Sequence, residues 1–355
     1  MKRIAIIAAV ALCLCGCGKT RTVGTNEASK RYFDAWVHVQ KQKQPELLWQ
    51  ETALGSWLLM DSKGTGPQVG EFPDSMYLRL NYTVRDLEGN VTSTTSRIMA
   101  QQLGTYDEAT YYGPVIWYAK GIYAGLEEVI KDMRPGGRRT VLVPGWLSTY
   151  NHFDDPSGYL TQSADDIGSN AIYDIELVEA FQFMEQWSVD SVARYLVKEY
   201  PEKYAGDVSK AAADSSGAHG FYYIQTKPAA DGWTWSEETA LKDTTVYINY
   251  IGRLLNGQVF DTNIRDTAIR YGFDRDKTYE PVVINYGSSW SEITMTSEST
   301  SVISGFARTL SRMGPYEKGS GIFIYSLGYG YKGSGNSIPG YAPLRFDVEL
   351  VDKPN

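Results

Sequence analysis

The chain has 355 residues, 43% apolar and 21% charged, with 34 Gly, 26 Tyr and 9 Trp; that is too apolar and aromatic for a disordered polypeptide and lacks the period and proline load of collagen. A net charge of −8, from 34 basic and 42 acidic residues, argues against nucleic acid as a partner, since such binders need a basic face. His38, His152 and His219 are too few for a His-rich metal site. Cys13, Cys15 and Cys17 are the whole cysteine complement, which excludes disulfide scaffolds, zinc fingers and thiol enzymes from the mature protein.

Lys2 and Arg3 precede an apolar run over residues 4–14. The run suits a signal-peptide core and falls short of the roughly 20 residues of a spanning helix. It ends in Leu14-Cys15-Gly16-Cys17, which resembles a bacterial lipobox. The small Gly16 at the cleavage position makes Cys17 the lipid acceptor, because choosing Cys15 would put Leu14 there. An ordinary secretory signal cleaved nearby is the alternative reading. Acyl chains on Cys17 would hold the protein on a membrane at about 0.8 kcal/mol per buried CH₂. The resemblance implies an outer-membrane lipoprotein, because Gly18 stands where inner-membrane retention uses an aspartate. The missing acidic cluster favours the periplasmic face over the cell surface.

Residues 26–43 predict an amphipathic helix, with Tyr32, Phe33, Trp36, Val37 and Val39 among Lys and Gln. From about residue 46 the chain reads as strands, with alternation over 77–82 and a turn at Glu88-Gly89-Asn90. Ile122, Leu126, Val129, Ile130 and Met133 form a short helical pattern that stops at Arg134-Pro135-Gly136-Gly137. Strands follow at 140–143 and 173–178. A helix over 187–200 carries Val189, Val192, Leu196 and Val197, ends at Pro201, and leads into a small-residue linker over 211–220.

The same order then recurs. Residues 245–250 alternate, Asn256-Gly257 makes a turn, and Val302, Phe306, Leu310 and Met313 form one helical stripe before Gly314-Pro315. Tyr82 and Gly89 lie 168 residues before Tyr250 and Gly257, and Gly125 and Met133 lie 180 before Gly305 and Met313. The closing strands are 173 apart. Offsets this steady mark a duplicated unit.

The second copy contains Tyr250-Ile251-Gly252, then Asn256-Gly257-Gln258-Val259-Phe260-Asp261, then Val302-Ile303-Ser304-Gly305-Phe306. It closes with Gly328-Tyr329-Gly330, Ile338-Pro339 and Ala342-Pro343-Leu344-Arg345-Phe346-Asp347-Val348-Glu349-Leu350. This ordered set resembles the FKBP-type peptidyl-prolyl isomerase domain over nearly all of residues 221–353. The resemblance implies an α+β fold, a bent antiparallel sheet wrapped around one short helix. It also implies that Tyr250, Phe260, Ile303, Phe306 and Phe346 line a proline pocket. Tyr329 would donate its hydroxyl to the substrate carbonyl, Asp261 would face the twisted carbonyl, and Ile338 would pack from the loop above. Three features depart from the family pattern. Phe306 replaces the usual Trp, the polar stretch over 262–301 is long, and Pro281-Val282 stands where an aromatic often follows proline.

Such chemistry suits a chain poor in catalytic side chains. Rotation about an X–Pro bond is opposed by an amide-resonance barrier of about 18–20 kcal/mol and needs neither nucleophile nor proton. An enclosure that binds the twisted amide better than either planar form lowers that barrier. No cofactor and no metal are called for. Core packing is the bland alternative for each pocket residue, and a turn residue for Asp261.

The first copy, about 52–181, has Thr92-Ser93 where the second has Phe260-Asp261, Leu126 for Phe306, and a position near Ser148 for Tyr329. Only Tyr82 and Tyr173 remain of the ring, so a binding or spacer module without isomerase activity is expected there. The glycine-rich run over 328–335 lacks the context of a phosphate loop, and His152-Phe153-Asp154-Asp155 reads as a turn more than as a metal site. Trp233, Trp235 and Trp290 are candidates for glycan or unfolded-chain binding, with packing as the default.

The sequence therefore predicts a signal segment over 1–16, a tether and helix over 17–45, and a degenerate unit over 46–182. A helical linker over 183–219 and an isomerase unit over 220–355 complete it. The partners would be proline-containing segments of exported or unfolded proteins, with the membrane reached through Cys17. A non-catalytic chaperone, or a peptide- or glycan-binding lipoprotein that kept the fold, is the rival expectation.

Overall fold

The structure is a computed structural model that describes residues 25–66, 75–163, 168–273, 276–295 and 302–354. The expected signal segment and Cys17 lie outside these residues.

Helix α1 (Thr25–Lys43) opens the described chain. Its buried stripe is Phe33, Trp36 and Val37, at the i, i+3, i+4 spacing of one helix face. Tyr32 and Val39, expected on that face, are instead exposed, because each falls off the stripe. The Tyr32 hydroxyl donates to Glu88 at 2.8 Å. Phe33 meets Trp146 edge-on at 5.1 Å, and the Trp36 indole donates to the Leu87 carbonyl, which docks α1 on the first core.

Two antiparallel sheets follow. The first contains β1 (Gln50–Glu51), β2 (Trp57–Ser62), β3 (Tyr77–Arg85), β4 (Val91–Thr94), β5 (Val115–Tyr118), β6 (Arg138–Val143) and β7 (Ala171–Phe181). The second contains β8 (Phe221–Lys227), β9 (Thr245–Leu254), β10 (Val259–Thr262), β11 (Val282–Asn285), β12 (Thr294–Met295), β13 (Lys318–Phe323) and β14 (Leu344–Val351). The first runs β2-β6-β7-β3, with β4 and β5 both on β3; the second runs β8-β13-β14-β9, with β10 and β11 both on β9. Over these six strands the two orders coincide, as the repeat in the sequence requires; β1, beside β2, and β12, beside β11, have no counterpart in the other sheet.

Each sheet holds one short helix against its inner face, α3 (Ala124–Ile130) in the first and α9 (Ser304–Ser311) in the second. Close approach needs glycine at the contact. A Cβ on Gly305 would collide with the Phe323 ring, and one on Gly125 would lie 2.6 Å from Val143. On β14, Leu344, Phe346, Val348 and Leu350 alternate inward, the two-residue period of a half-buried strand.

The segment joining the sheets differs from expectation. Helix α5 (Met184–Glu199) ends before Pro201, but Pro201 opens α6 (Pro201–Tyr204), a position where its missing N–H costs nothing. Residues 208–213, expected in part as a small-residue linker, form α7 (Val208–Ala213), with Asp207 capping its start. Ala211 is fully buried, because its small side chain lets α7 lie close against α5. These helices pack Val192, Leu196, Tyr204 and Ala211 on Tyr222, Ile322 and Ile324, the sheet face opposite α9.

Among the described residues of the first unit, Arg139 is a buried charge. It donates to Asp61 at 2.9 and 3.2 Å, to the Val129 carbonyl at 2.5 Å and to Asp132. The Arg139 hydrogen bond holds the Asp132 carboxyl below the usual carboxylate range. A group with a lowered folded pKa stabilises above its unfolded value and loses that contribution as pH falls through the folded one. Arg139→Met should therefore cost the first unit about 3 kcal/mol in urea unfolding at neutral pH. The difference from wild type should shrink below about pH 4. Equal stability of the two proteins at neutral pH would show that the network contributes nothing.

Candidate active site

The site is built where β9, β10, α9 and β14 converge. In the register of β9 against β14, Val348 pairs with Tyr250 and Phe346 with Gly252. Strand β10 pairs with β9 through an irregularity between Val259 and Asp261, so Phe260 sits on a bulge. The bulge brings the Phe260 ring over Gly252, where a Cβ would lie 2.5 Å from the ring edge.

Phe346 is the hub of the resulting cluster. Its centroid lies 4.7 Å from Phe306, 5.5 Å edge-on from Phe260, 5.9 Å from Phe323 and 6.2 Å from Tyr250. Tyr250 also meets Phe306 at 5.7 Å. Ile338 is buried in the same cluster, and Ile303, immediately before α9, is half-buried against it. Six of the eight residues expected at the site thus come together as apolar wall.

Asp261 brings a carboxylate to this wall. The Tyr250 hydroxyl donates to Asp261 Oδ2 at 2.6 Å, a short bond of the charge-assisted kind. Tyr250 is in turn fixed through its backbone. Its N–H donates to the Asn263 side-chain carbonyl at 2.7 Å, and its carbonyl accepts from the Thr262 hydroxyl at 2.7 Å. Asn263 also donates to the Ile248 and Glu280 carbonyls. Tyr329 is placed differently. It is 38% exposed, in the loop after the turn at Tyr325–Leu327, and is not one of the buried side chains of the cluster. Thr262, Asn263, Gly252 and Phe323 carry no role in the sequence pattern. The tripeptide Asp261-Thr262-Asn263, polar residues directly after the aromatic Phe260, is the available signal.

The first copy carries a different set of rings. Tyr82 packs on Trp117 at 5.1 Å, and Tyr123 on Tyr150 at 4.5 Å. Tyr173, on β7 where β14 carries Phe346, has its hydroxyl pushed up to about 12, chiefly by burial. The expected remnant of Tyr82 and Tyr173 is therefore joined by Trp117, Tyr123 and Tyr150. Leu126 occupies the helix, and Thr92 and Ser93 are exposed on β4.

Other candidates resolve into packing. Asp155 caps the helix α4 (Pro156–Leu160), and His152 sits 3.4 Å from Glu127. Trp290 lies under the Arg308 guanidinium and Trp235 under that of Arg312. The Trp235 indole donates to the Ser311 carbonyl and that of Trp233 to the Thr239 carbonyl. No group of three or more His, Cys, Asp or Glu suited to a metal ion occurs among the described residues.

Comparison with known proteins bears on this arrangement. The family model described as FKBP-type peptidyl-prolyl cis-trans isomerase matches residues 236–351. FK506-binding protein 2 of Candida glabrata is 32% identical over 114 residues, which are 32% of this chain and 67% of that protein. The chain belongs to the FKBP-type peptidyl-prolyl cis-trans isomerase family. Peptidyl-prolyl cis-trans isomerase FKBP11 of Bos taurus is 33% identical over 114 residues, 32% of this chain and 44% of the relative. A probable FKBP-type peptidyl-prolyl cis-trans isomerase of Haemophilus influenzae is 26% identical over 164 residues, 46% of this chain and 54% of the relative. The chain thus spans about half the length of the bovine and Haemophilus relatives. The matched family region carries all eight expected site residues and contains the whole ring cluster around Phe346.

Gly252→Ala tests the local packing, since the added methyl must displace the Phe260 ring. A stability loss of about 2 kcal/mol is expected, with the Phe260 ring resonances shifted and those of Tyr82 in the first copy unmoved. Unchanged Phe260 resonances would contradict the packing described.

Proposed function

We propose that this chain catalyses cis–trans isomerisation of peptidyl-prolyl bonds, and that the second copy alone does so. The observation that carries the reading is the apolar wall of Tyr250, Phe260, Ile303, Phe306, Ile338 and Phe346 with one carboxylate, Asp261, held at it by the Tyr250 hydroxyl. Twisting an amide out of plane removes its charge separation. A wall of rings and aliphatic side chains therefore favours the twisted form over the planar ones, relative to water. Asp261 supplies a fixed negative charge beside the turning bond, and its bond to Tyr250 keeps it from folding back into solvent. Tyr329, exposed at the loop, would bind the substrate carbonyl through its hydroxyl. Phe306 offers a smaller platform than an indole.

Under this reading the first copy is a non-catalytic module. It has no carboxylate at the position of Asp261, where Ser93 stands, and Leu126 replaces the aromatic platform. Membrane attachment through Cys17, on the periplasmic face of the outer membrane, would place the isomerase among exported proteins as they fold. The lipobox-like Leu14-Cys15-Gly16-Cys17 supports that placement.

A protease-coupled assay of the full chain on a proline tetrapeptide tests the activity. Wild type should exceed the uncatalysed rate, and Phe260→Ala and Asp261→Ala should each lower kcat/KM by about ten-fold or more. A wild-type rate equal to background would overturn the reading. For the anchor, Cys17→Ser should move the protein from the membrane to the soluble fraction of cells; retention on the membrane would exclude Cys17 as the attachment point.

A further inference from the structure

The first copy meets the second through Tyr77 of β3, edge-on to Tyr341 at 5.5 Å, and through a loop that reaches further in. The loop between α2 (Arg97–Leu103) and β5 presents Thr110 and Tyr111 to two loops of the isomerase unit. The Tyr111 backbone N–H donates to the Asn336 carbonyl at 2.8 Å. The Gln258 side-chain amide donates to the Thr110 carbonyl at 3.1 Å. These two acceptor and donor sites are not arbitrary surface. Asn336 lies two residues before Ile338, and Gln258 lies two residues before Phe260.

The loop that carries Ile338 is a tight turn. Ser334 and Ile338 exchange both backbone hydrogen bonds, at 2.9 and 3.1 Å, and Asn336 stands at the tip. The turn between β9 and β10 leads into Phe260, and in it the Gln258 N–H is held by the Asn256 side chain. Residues 110 and 111 therefore bridge the tip of the loop that carries Ile338 and the turn that leads through Val259 into Phe260. The Tyr111 ring is half-buried against the second core, and its hydroxyl donates to the Pro114 carbonyl at 3.0 Å. Glu108 packs on Gly272, at the end of α8 (Arg265–Arg270).

The bridging loop is itself stiff. Tyr106 stacks on Tyr112 at 5.5 Å, the Asp107 carboxylate accepts from the Ala109 N–H and the Thr110 hydroxyl, and the Tyr112 hydroxyl accepts from the Asp107 N–H. A stiff strut between two loops fixes their separation, and small displacements of groups that hold a substrate cost rate steeply. We propose that Thr110 and Tyr111 of the first copy are positioning residues of the isomerase site, holding Phe260 and Ile338 at the spacing that grips the substrate proline. This inference rests on the isomerase reading above. The copy without catalytic residues thereby braces the rim of its neighbour's site.

The test uses the full chain with Tyr111→Ala, Tyr111→Phe and Gln258→Ala. Each is assayed for kcat and KM on the proline tetrapeptide and for the ¹³C-methyl shift of Ile338. Tyr111→Ala and Gln258→Ala should lower kcat/KM about ten-fold, mostly through KM, and move the Ile338 methyl signal. Tyr111→Phe, which keeps the ring packed on the second core, should stay within about two-fold of wild type. Unchanged kinetics and an unmoved Ile338 signal in both disrupted variants would overturn the proposal, leaving the contact as adhesion between the copies. A rise in kcat/KM would also overturn it, by showing that the loop obstructs the site. Should wild type lack turnover, the isomerase reading fails by itself, and the Ile338 shift alone decides whether the strut positions that loop.

Discussion

The second unit is organised by the contact of one phenylalanine with four other rings. Phe346 projects from the central strand β14 and touches Phe260, Phe306, Phe323 and Tyr250. Those partners come from β10, α9, β13 and β9, so a single side chain ties the helix to three strands. Aromatic pairs of this kind contribute about 0.5–1.5 kcal/mol each beyond their buried area. The same rings that close the core also form the wall on which the proposed chemistry depends. Stability and function therefore share side chains here.

The consequence is visible in the first copy, which kept the strand order and changed the rings. With Tyr173 on the strand equivalent to β14 and Leu126 on the helix, its core closes through aliphatic side chains, through Phe33, Trp146 and Tyr159, and through the buried Arg139 network. Tyr82, Trp117, Tyr123 and Tyr150 pair off over that core. The duplication thus separated two roles. One unit retains the Phe346 hub and the carboxylate beside it, while the other supplies α1, a rigid loop and a docking contact.

Much of this was readable in the residues because it depends on local period. The alternation of β14, the stripe of α9 and the steady offsets between the copies identify strands, helix and duplication without any knowledge of pairing. The ring members Tyr250, Phe260, Phe306 and Phe346 were found through the order of their motifs. Features set by register were not readable. The bulge that turns Phe260 over Gly252, the bond from Tyr250 to Asp261 and the role of Asn263 all depend on how β10 meets β9. The exposure of Tyr329 depends on a loop path, and the short helix α7 on burial of Ala211 against α5. The bridge from Tyr111 to Asn336 joins residues far apart in the chain, with no shared pattern to reveal it.

Where a prolyl peptide binds, and whether it turns there, decides between an isomerase site and an inert apolar core. Exchange spectroscopy of a proline tetrapeptide with the full chain, with shifts followed in both copies, measures both at once. A site at the Phe346 wall predicts cis–trans exchange peaks, with shifts centred on Tyr250, Ile303 and Ile338 and with Tyr82 and Tyr123 unmoved. Exchange accompanied by shifts at Tyr82 and Tyr123 alone, or no catalysed exchange at all, would contradict it.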